Sequence, residues 1–111
     1  MALARRLVLQ AELEALLDSD DRVTDPGEHV SFQPDEGTQI KYPHIVYSRD
    51  PAYTLKADNM DYHRMDHYTV TYIDREPDSP VFDILEARQY TSHERSFVFD
   101  GLNHDVFDLY H

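Results

Sequence analysis

Cysteine and tryptophan are absent from the 111 residues, glycine occurs three times, and lysine and arginine together number ten. Without cysteine there can be no disulfide, no zinc–thiolate site and no cysteine nucleophile, which suits a protein assembled in a reducing cytoplasm. With glycine confined to Gly27, Gly37 and Gly101, no glycine-rich phosphate loop can be written. The serines Ser31, Ser48, Ser79, Ser92 and Ser96 lack the strand-turn-helix context of a nucleophile elbow. Long apolar runs are missing too. The richest stretch, Met1 to Leu17, is interrupted by Arg5, Arg6, Glu12 and Glu14, so neither a signal peptide nor a membrane span is expected.

The shortage of basic residues is set against twenty-two acids, for a formal net charge of −12. Eleven acids fall in residues 1–58 and eleven in 59–111, so the charge is not an acidic tail. A compact protein so charged repels free nucleic acid. Hydrophobic residues at 41% and charged residues at 29% predict a packed core, and the length fits one α+β domain over residues 1–111.

Leu3 to Leu17 is rich in Ala, Leu, Arg, Gln and Glu and predicts a helix, stopped by Asp18-Ser19-Asp20-Asp21. At 100° per residue it carries two apolar stripes: Leu3, Leu7, Ala11 and Ala15 on one side, Leu9, Leu13, Leu16 and Leu17 on the other. Two stripes suggest two partners, the domain's own sheet and either a second layer of the same domain or another subunit. Thr24-Asp25-Pro26-Gly27 predicts a turn, His29 to Gln33 a short strand, and Pro34 to Gly37 another turn. Tyr42 to Arg49 reads as a strand with Pro43 at an edge or first position, ended by Asp50-Pro51. Tyr53 to Ala57 is expected as a brief separate strand, with a reversal at Asp58-Asn59-Met60.

In the run Tyr62 to Ile73, Tyr68, Val70 and Tyr72 point one way, and His67, Thr69, Thr71 and Ile73 the other. Ser79-Pro80 supplies an N-cap and a first-turn proline for a short helix, Val81 to Arg88. Two strands follow, Tyr90 to Phe99 and Leu102 to Tyr110, joined by the hairpin dipeptide Asp100-Gly101. The expected fold is a mostly antiparallel sheet of four to five strands with two helices packed on one face.

Candidate chemistry is sparse. His63, Asp66 and His67 suggest metal ligands, but on a strand the two histidines stand roughly 13 Å apart, too far to share an ion. His104 and Asp105 are adjacent and so face opposite sides of a strand, which argues against a hydrolytic dyad. Asp18, Asp20, Asp21 and Asp25 read as a solvated loop rather than a cation site. No metal and no cofactor is implied. The eight tyrosines are too poor in basic neighbours for nucleic-acid stacking and suit protein–protein contact or ordinary strand composition.

Several segments carry a family pattern: Phe32-Gln33-Pro34, Tyr42-Pro43-His44-Ile45-Val46-Tyr47, Ala57-Asp58-Asn59, Tyr68-Thr69-Val70-Thr71, Asp74-Arg75-Glu76-Pro77-Asp78-Ser79, Phe99-Asp100-Gly101-Leu102-Asn103-His104-Asp105-Val106 and Leu109-Tyr110, with Arg95 and Phe97 between them. In this order the stretch Phe32 to Tyr110 resembles the small tail completion, tail terminator or head–tail joining proteins of bacteriophages with long non-contractile tails. The acidic, histidine-rich Asp61 to His67 departs from the more basic character of that group.

The resemblance implies a tail-terminator-like fold and a non-enzymatic, hexameric ring. It would cap the tube of major tail protein and meet the head connector at the head-proximal end of the virion's tail. The implied subunit contact uses Leu9, Leu13, Leu16, Tyr68 and Tyr72. Asp58, Asp61 and Asp66 become candidates to line a channel through which double-stranded DNA passes without specific binding. The loops 23–28, 37–41 and 50–60 would face the tube or connector. A head-completion or connector adaptor of the same module is the alternative, followed by an acidic monomeric inhibitor or DNA mimic.

Overall fold

In the computed structural model, residues 5–35, 37, 40–56 and 64–111 are described. Two helices lie on one face of a five-stranded sheet. The first, α1 (Arg5–Leu16), continues into a 3₁₀ turn, Leu17–Ser19; a second 3₁₀ turn, Pro26–His29, leads into β1 (Val30–Phe32). Then come β2 (His44–Lys56), β3 (Arg64–Asp74), α2 (Pro80–Ala87), β4 (Thr91–Phe99) and β5 (Leu102–Tyr110). The sheet order is β1-β2-β3-β5-β4. The short β1 runs parallel to β2, and every other pair is antiparallel.

The faces follow from the two periodicities. Tyr68, Val70 and Tyr72 of β3 pair in register with Leu109, Phe107 and Asp105 of β5, and all six share the helix side. Leucines four apart along α1 and its 3₁₀ extension meet them: Leu9, Leu13 and Leu17 are fully buried with Ile45, Tyr47, Val81 and Leu85 in one cluster. Burying such a leucine contributes about 2 kcal/mol. The outer stripe of α1 stays in solvent, with Leu7 and Val8 exposed and Ala11 and Ala15 beside them. One stripe therefore builds the core, while Leu7 and Val8 of the other side are exposed.

Local signals set the element ends. Ser79 caps α2 by accepting from the Val81 N–H at 3.2 Å, with Pro80 in the first turn. At the β4–β5 turn Asp100 and Gly101 have φ of 54° and 74°, the left-handed pair that a two-residue hairpin requires. Asp25 accepts from Gly27 N–H and opens the turn at Pro26. Arg88 fastens the far ends together: it pairs with Glu12 of α1 at 2.6 Å and donates to the carbonyl of Tyr110 at 3.2 Å.

The expectations around β2 fare differently. Pro43 follows a cis peptide and immediately precedes β2, an interior strand, so it holds the first-residue position rather than an edge. Asp50-Pro51 does not end that strand. The ladder slips between Asp50 and Leu55, so the proline's missing N–H falls where pairing is already interrupted, and β2 absorbs the separate strand expected at Tyr53. The reversal expected at Asp58-Asn59-Met60 lies outside the described residues.

Candidate functional site

Two polar clusters and two apolar edges stand out. The first cluster is centred on Arg22. Its guanidinium reaches Asp20 at 2.7 and 3.0 Å and Asp74 at 2.7 and 2.9 Å. Both carboxylates are almost fully buried. Asp20 is held below the usual carboxylate range by its hydrogen bonds to Arg22, against a smaller effect of burial. For Asp74, burial pushes upward, and Arg22, Tyr72 and the Glu76 N–H together outweigh it and pull the carboxyl down. The Tyr72 hydroxyl lies 2.6 Å from Asp74 and 2.8 Å from Ser79 Oγ. Its one proton goes to the carboxylate, leaving the serine hydroxyl to donate to the tyrosine oxygen. Burial and then Asp74 raise the Tyr72 phenol well above its ordinary range. Asp20 is thus part of a buried clamp that ties the loop after α1 to the end of β3 and the cap of α2, not part of a solvated loop.

The second cluster joins His93, Ser96 and Asp105. In a regular strand His93 and Ser96, three apart, would face opposite ways. A bulge between His93 and Arg95 brings both to the helix side, opposite Phe107 and Asp105. Ser96 Oγ is 2.5 Å from Asp105 and 3.0 Å from His93 Nε2, and the imidazole is packed against Phe82 and Phe107. In this order the serine proton is held by the carboxylate and the serine oxygen accepts from the imidazole. The histidine is therefore not placed to take the serine proton as a base would. The cluster borders an open groove of about 570 Å³ lined also by Pro77, Asp78, Pro80, Phe82 and Asp83.

A buried histidine connects β1 to β2. His44 stands 2.8 Å from Ser31 Oγ through Nε2 and 3.2 Å from the Lys41 carbonyl through Nδ1. Donation from Nδ1 to the carbonyl leaves Nε2 to accept the serine proton. Burial lowers the pKa of His44, which keeps the ring neutral.

Of the residues expected to act, Leu9, Leu13, Tyr68 and Tyr72 are 0–2% exposed, packed inside the chain's own core. Side chains so enclosed have no area left for a neighbouring subunit, which corrects their placement in a subunit contact. Leu16 is partly buried against the same core. Tyr47 joins the enclosed tyrosines, so part of the tyrosine excess is core composition. Asp66 is 8% exposed, which leaves it little carboxylate surface to present to a channel. Asp58 and Asp61, and His63 with them, lie outside the described residues. His67 bonds Asp108 at 2.9 Å. His104 and Asp105 do face opposite sides: the histidine ring stacks on Phe97 at 4.7 Å, while Asp105 meets Ser96. Among the described residues no three metal-ligating side chains stand together.

The apolar edges are the features that sequence patterning half revealed. Leu7 and Val8 are 41% and 44% exposed on α1; Phe97, Val98 and Phe99 are 42%, 68% and 70% exposed on β4. The helix stripe was visible as a second apolar face. The strand patch was not, because its alternating side chains read as an ordinary half-buried strand, whereas Phe97, Val98 and Phe99 are exposed on both faces.

Compared with known proteins, the chain matches no family model and no curated protein.

Proposed function

We propose that the protein is a non-enzymatic structural component that assembles into a ring, acting as a tail terminator or completion protein at the head-proximal end of a long non-contractile phage tail. The single observation that supports a binding role is the uncovered stripe of α1: a helix whose inner leucines are all used by the core still presents Leu7 and Val8 to solvent. Exposed apolar area on a helix is a surface that another protein can cover. The resemblance of the stretch Phe32 to Tyr110 to the phage family supplies the kind of assembly. On this reading the partners are further copies of the chain, the major tail protein and the head connector. DNA crosses the ring without being bound, since the −12 charge repels its phosphates.

The test is to mix the purified protein with its major tail protein and record native mass spectra and electron micrographs of each alone and of the mixture. Rings of six at the ends of shortened tubes are the expected result. Rings that ignore the tubes would move the protein to the adaptor role between head and tail. A protein that stays monomeric with and without tubes overturns both roles.

A further inference from the structure

The shortest strand of the sheet, β1, pairs with β2 over three positions: Val30 with Ile45, Ser31 with Val46 and Phe32 with Tyr47. It stands at the end of the strand order. Beyond this ladder the seam between Pro26–Phe32 and the start of β2 is held by side chains. His29 donates from Nδ1 to the Pro43 carbonyl at 2.7 Å, and Ser31 Oγ meets His44 Nε2 at 2.8 Å. Lys41 pairs with Glu28 across the same seam. The two imidazoles are 5% and 1% exposed, so the seam closes over two titratable rings.

Proton uptake treats the two rings differently. The Pro43 carbonyl only accepts, so His29 Nδ1 carries a hydrogen in either state, and a charge on that ring is favoured by Asp20 and Glu28. His44 has no such support. Around it stand Ser31 of β1, the Lys41 carbonyl, Ile73 of β3 in register, and His29. Among the described residues, the charge that acts on it is that of His29, of like sign. A proton added to His44 in the closed seam is therefore a buried, unpaired charge, whereas in an open seam it is solvated. The carboxylates at the seam titrate lower: Lys41 holds Glu28, and Arg22 holds Asp20, below the usual range.

We infer that Pro26–Phe32 is an acid-released flap, which opens locally from β2 while the β2-β3-β5-β4 sheet stays folded, with His44 taking up a proton in the open form. Neutral pH keeps β1 docked. Mild acid favours the open form, which withdraws Val30 and Phe32 from beside Ile45 and Tyr47 and bares backbone groups along β2. The inference goes beyond the ring reading and does not depend on it.

Amide hydrogen exchange of the full chain at pH 7.5 and 5.5, corrected for intrinsic rates, tests this. The Gln33 N–H, donated to the Tyr47 carbonyl at 2.9 Å, reports on the flap, and amides along the β3–β5 ladder report on global unfolding. Gln33 should be less protected than the ladder at both pH values. This gap marks the local opening, since global unfolding exposes His44 too. The protection of Gln33 should fall several-fold from pH 7.5 to 5.5, with about tenfold as the limit for one histidine of ordinary value near 6.5. In His44→Gln, which does not titrate, the fall should be less than about twofold.

Equal protection of Gln33 and the ladder would overturn the flap, because β1 would then open only with the whole domain. A fall that persists in full in His44→Gln would overturn the histidine as its origin. Should that variant not fold, the wild-type ring decides. His44 resonances that titrate below the ordinary value uphold the inference, and resonances that titrate at or above it overturn it, since charging the closed seam would then carry no penalty.

Discussion

Arg22 grips Asp74 at two points, 2.9 and 2.7 Å, across fifty-two positions of the chain. The same guanidinium closes on Asp20, so one partly exposed cation is shared by two buried anions. Paired in this way the carboxylates are tolerated. Unpaired they would be expensive, because burial removes the water that would otherwise solvate them.

Arg22→Ala should therefore lower the unfolding free energy by about 2–3 kcal/mol, below the ~3–5 kcal/mol that breaking a fully buried pair costs, since the arginine itself is 41% exposed and screened by water. Arg22→Lys keeps the charge but not the two-point geometry and should fall between the two. Urea titrations monitored by tyrosine fluorescence would measure this. A loss under 0.5 kcal/mol for the alanine variant would mean that water replaces the guanidinium at no penalty.

The same clamp fixes the acid limb of stability. Asp20 and Asp74 are both held below their ordinary value of 3.8, so the folded state binds fewer protons than the unfolded one. Their contribution is complete above that value and is lost as pH falls through the depressed folded values. Wild type should weaken below about pH 4. In Arg22→Ala the sign reverses, because burial without a cation raises a carboxyl. The stability difference between wild type and that variant should therefore shrink as pH is lowered from 6 to 4. Parallel acid limbs in the two proteins would contradict the clamp.

Which of these features could be read beforehand follows from how local each one is. The cap at Ser79-Pro80, the hairpin at Asp100-Gly101 and the Tyr68, Val70, Tyr72 alternation are each set by a few adjacent residues, and all are legible in the sequence. The continuation of β2 past Pro51 was not, because it depends on where a ladder slips against β3. The His93, Ser96 and Asp105 cluster was hidden by a one-residue bulge that overturns simple alternation. Arg22 and Asp74 meet only after the sheet forms, and nothing near either residue announces the other. The two stripes of α1 were legible as stripes, but which one faced inward was settled by the sheet.

His44 makes a second pH window. Burial lowers its pKa below the ordinary 6.5, so the unfolded state takes up a proton more readily than the folded one. The stabilising effect is complete above about pH 6.5 and is lost as pH falls from there towards the depressed folded value. Wild type should be less stable at pH 5.5 than at 7.5. His44→Gln can still donate to the Lys41 carbonyl and accept from Ser31, and it does not titrate, so this step should shrink while stability at pH 7.5 changes little. The comparison needs denaturant curves at several pH values. An unchanged step would move its origin to another histidine.

The two stripes of α1 make a final, opposed pair of expectations. Leu13 is fully buried among the tyrosines and leucines of the core, and Leu13→Ala removes three carbons from a close-packed site. The loss should be about 2–5 kcal/mol, depending on how far the site collapses. Leu7 is 41% exposed, so Leu7→Ala should change monomer stability by about 0.5 kcal/mol or less. Assembly should respond in the reverse sense. Under conditions where both variants remain folded, Leu7→Ala should weaken the self-association proposed above, because on that reading the area it removes belongs to the subunit contact. Leu13→Ala should leave association unchanged once the folded fraction is accounted for. Analytical ultracentrifugation beside unfolding curves reads both quantities on the same samples. If Leu13→Ala weakened association more than its folded fraction explains, the inner stripe would be in the contact after all, and the core placement of α1 would have to change on assembly.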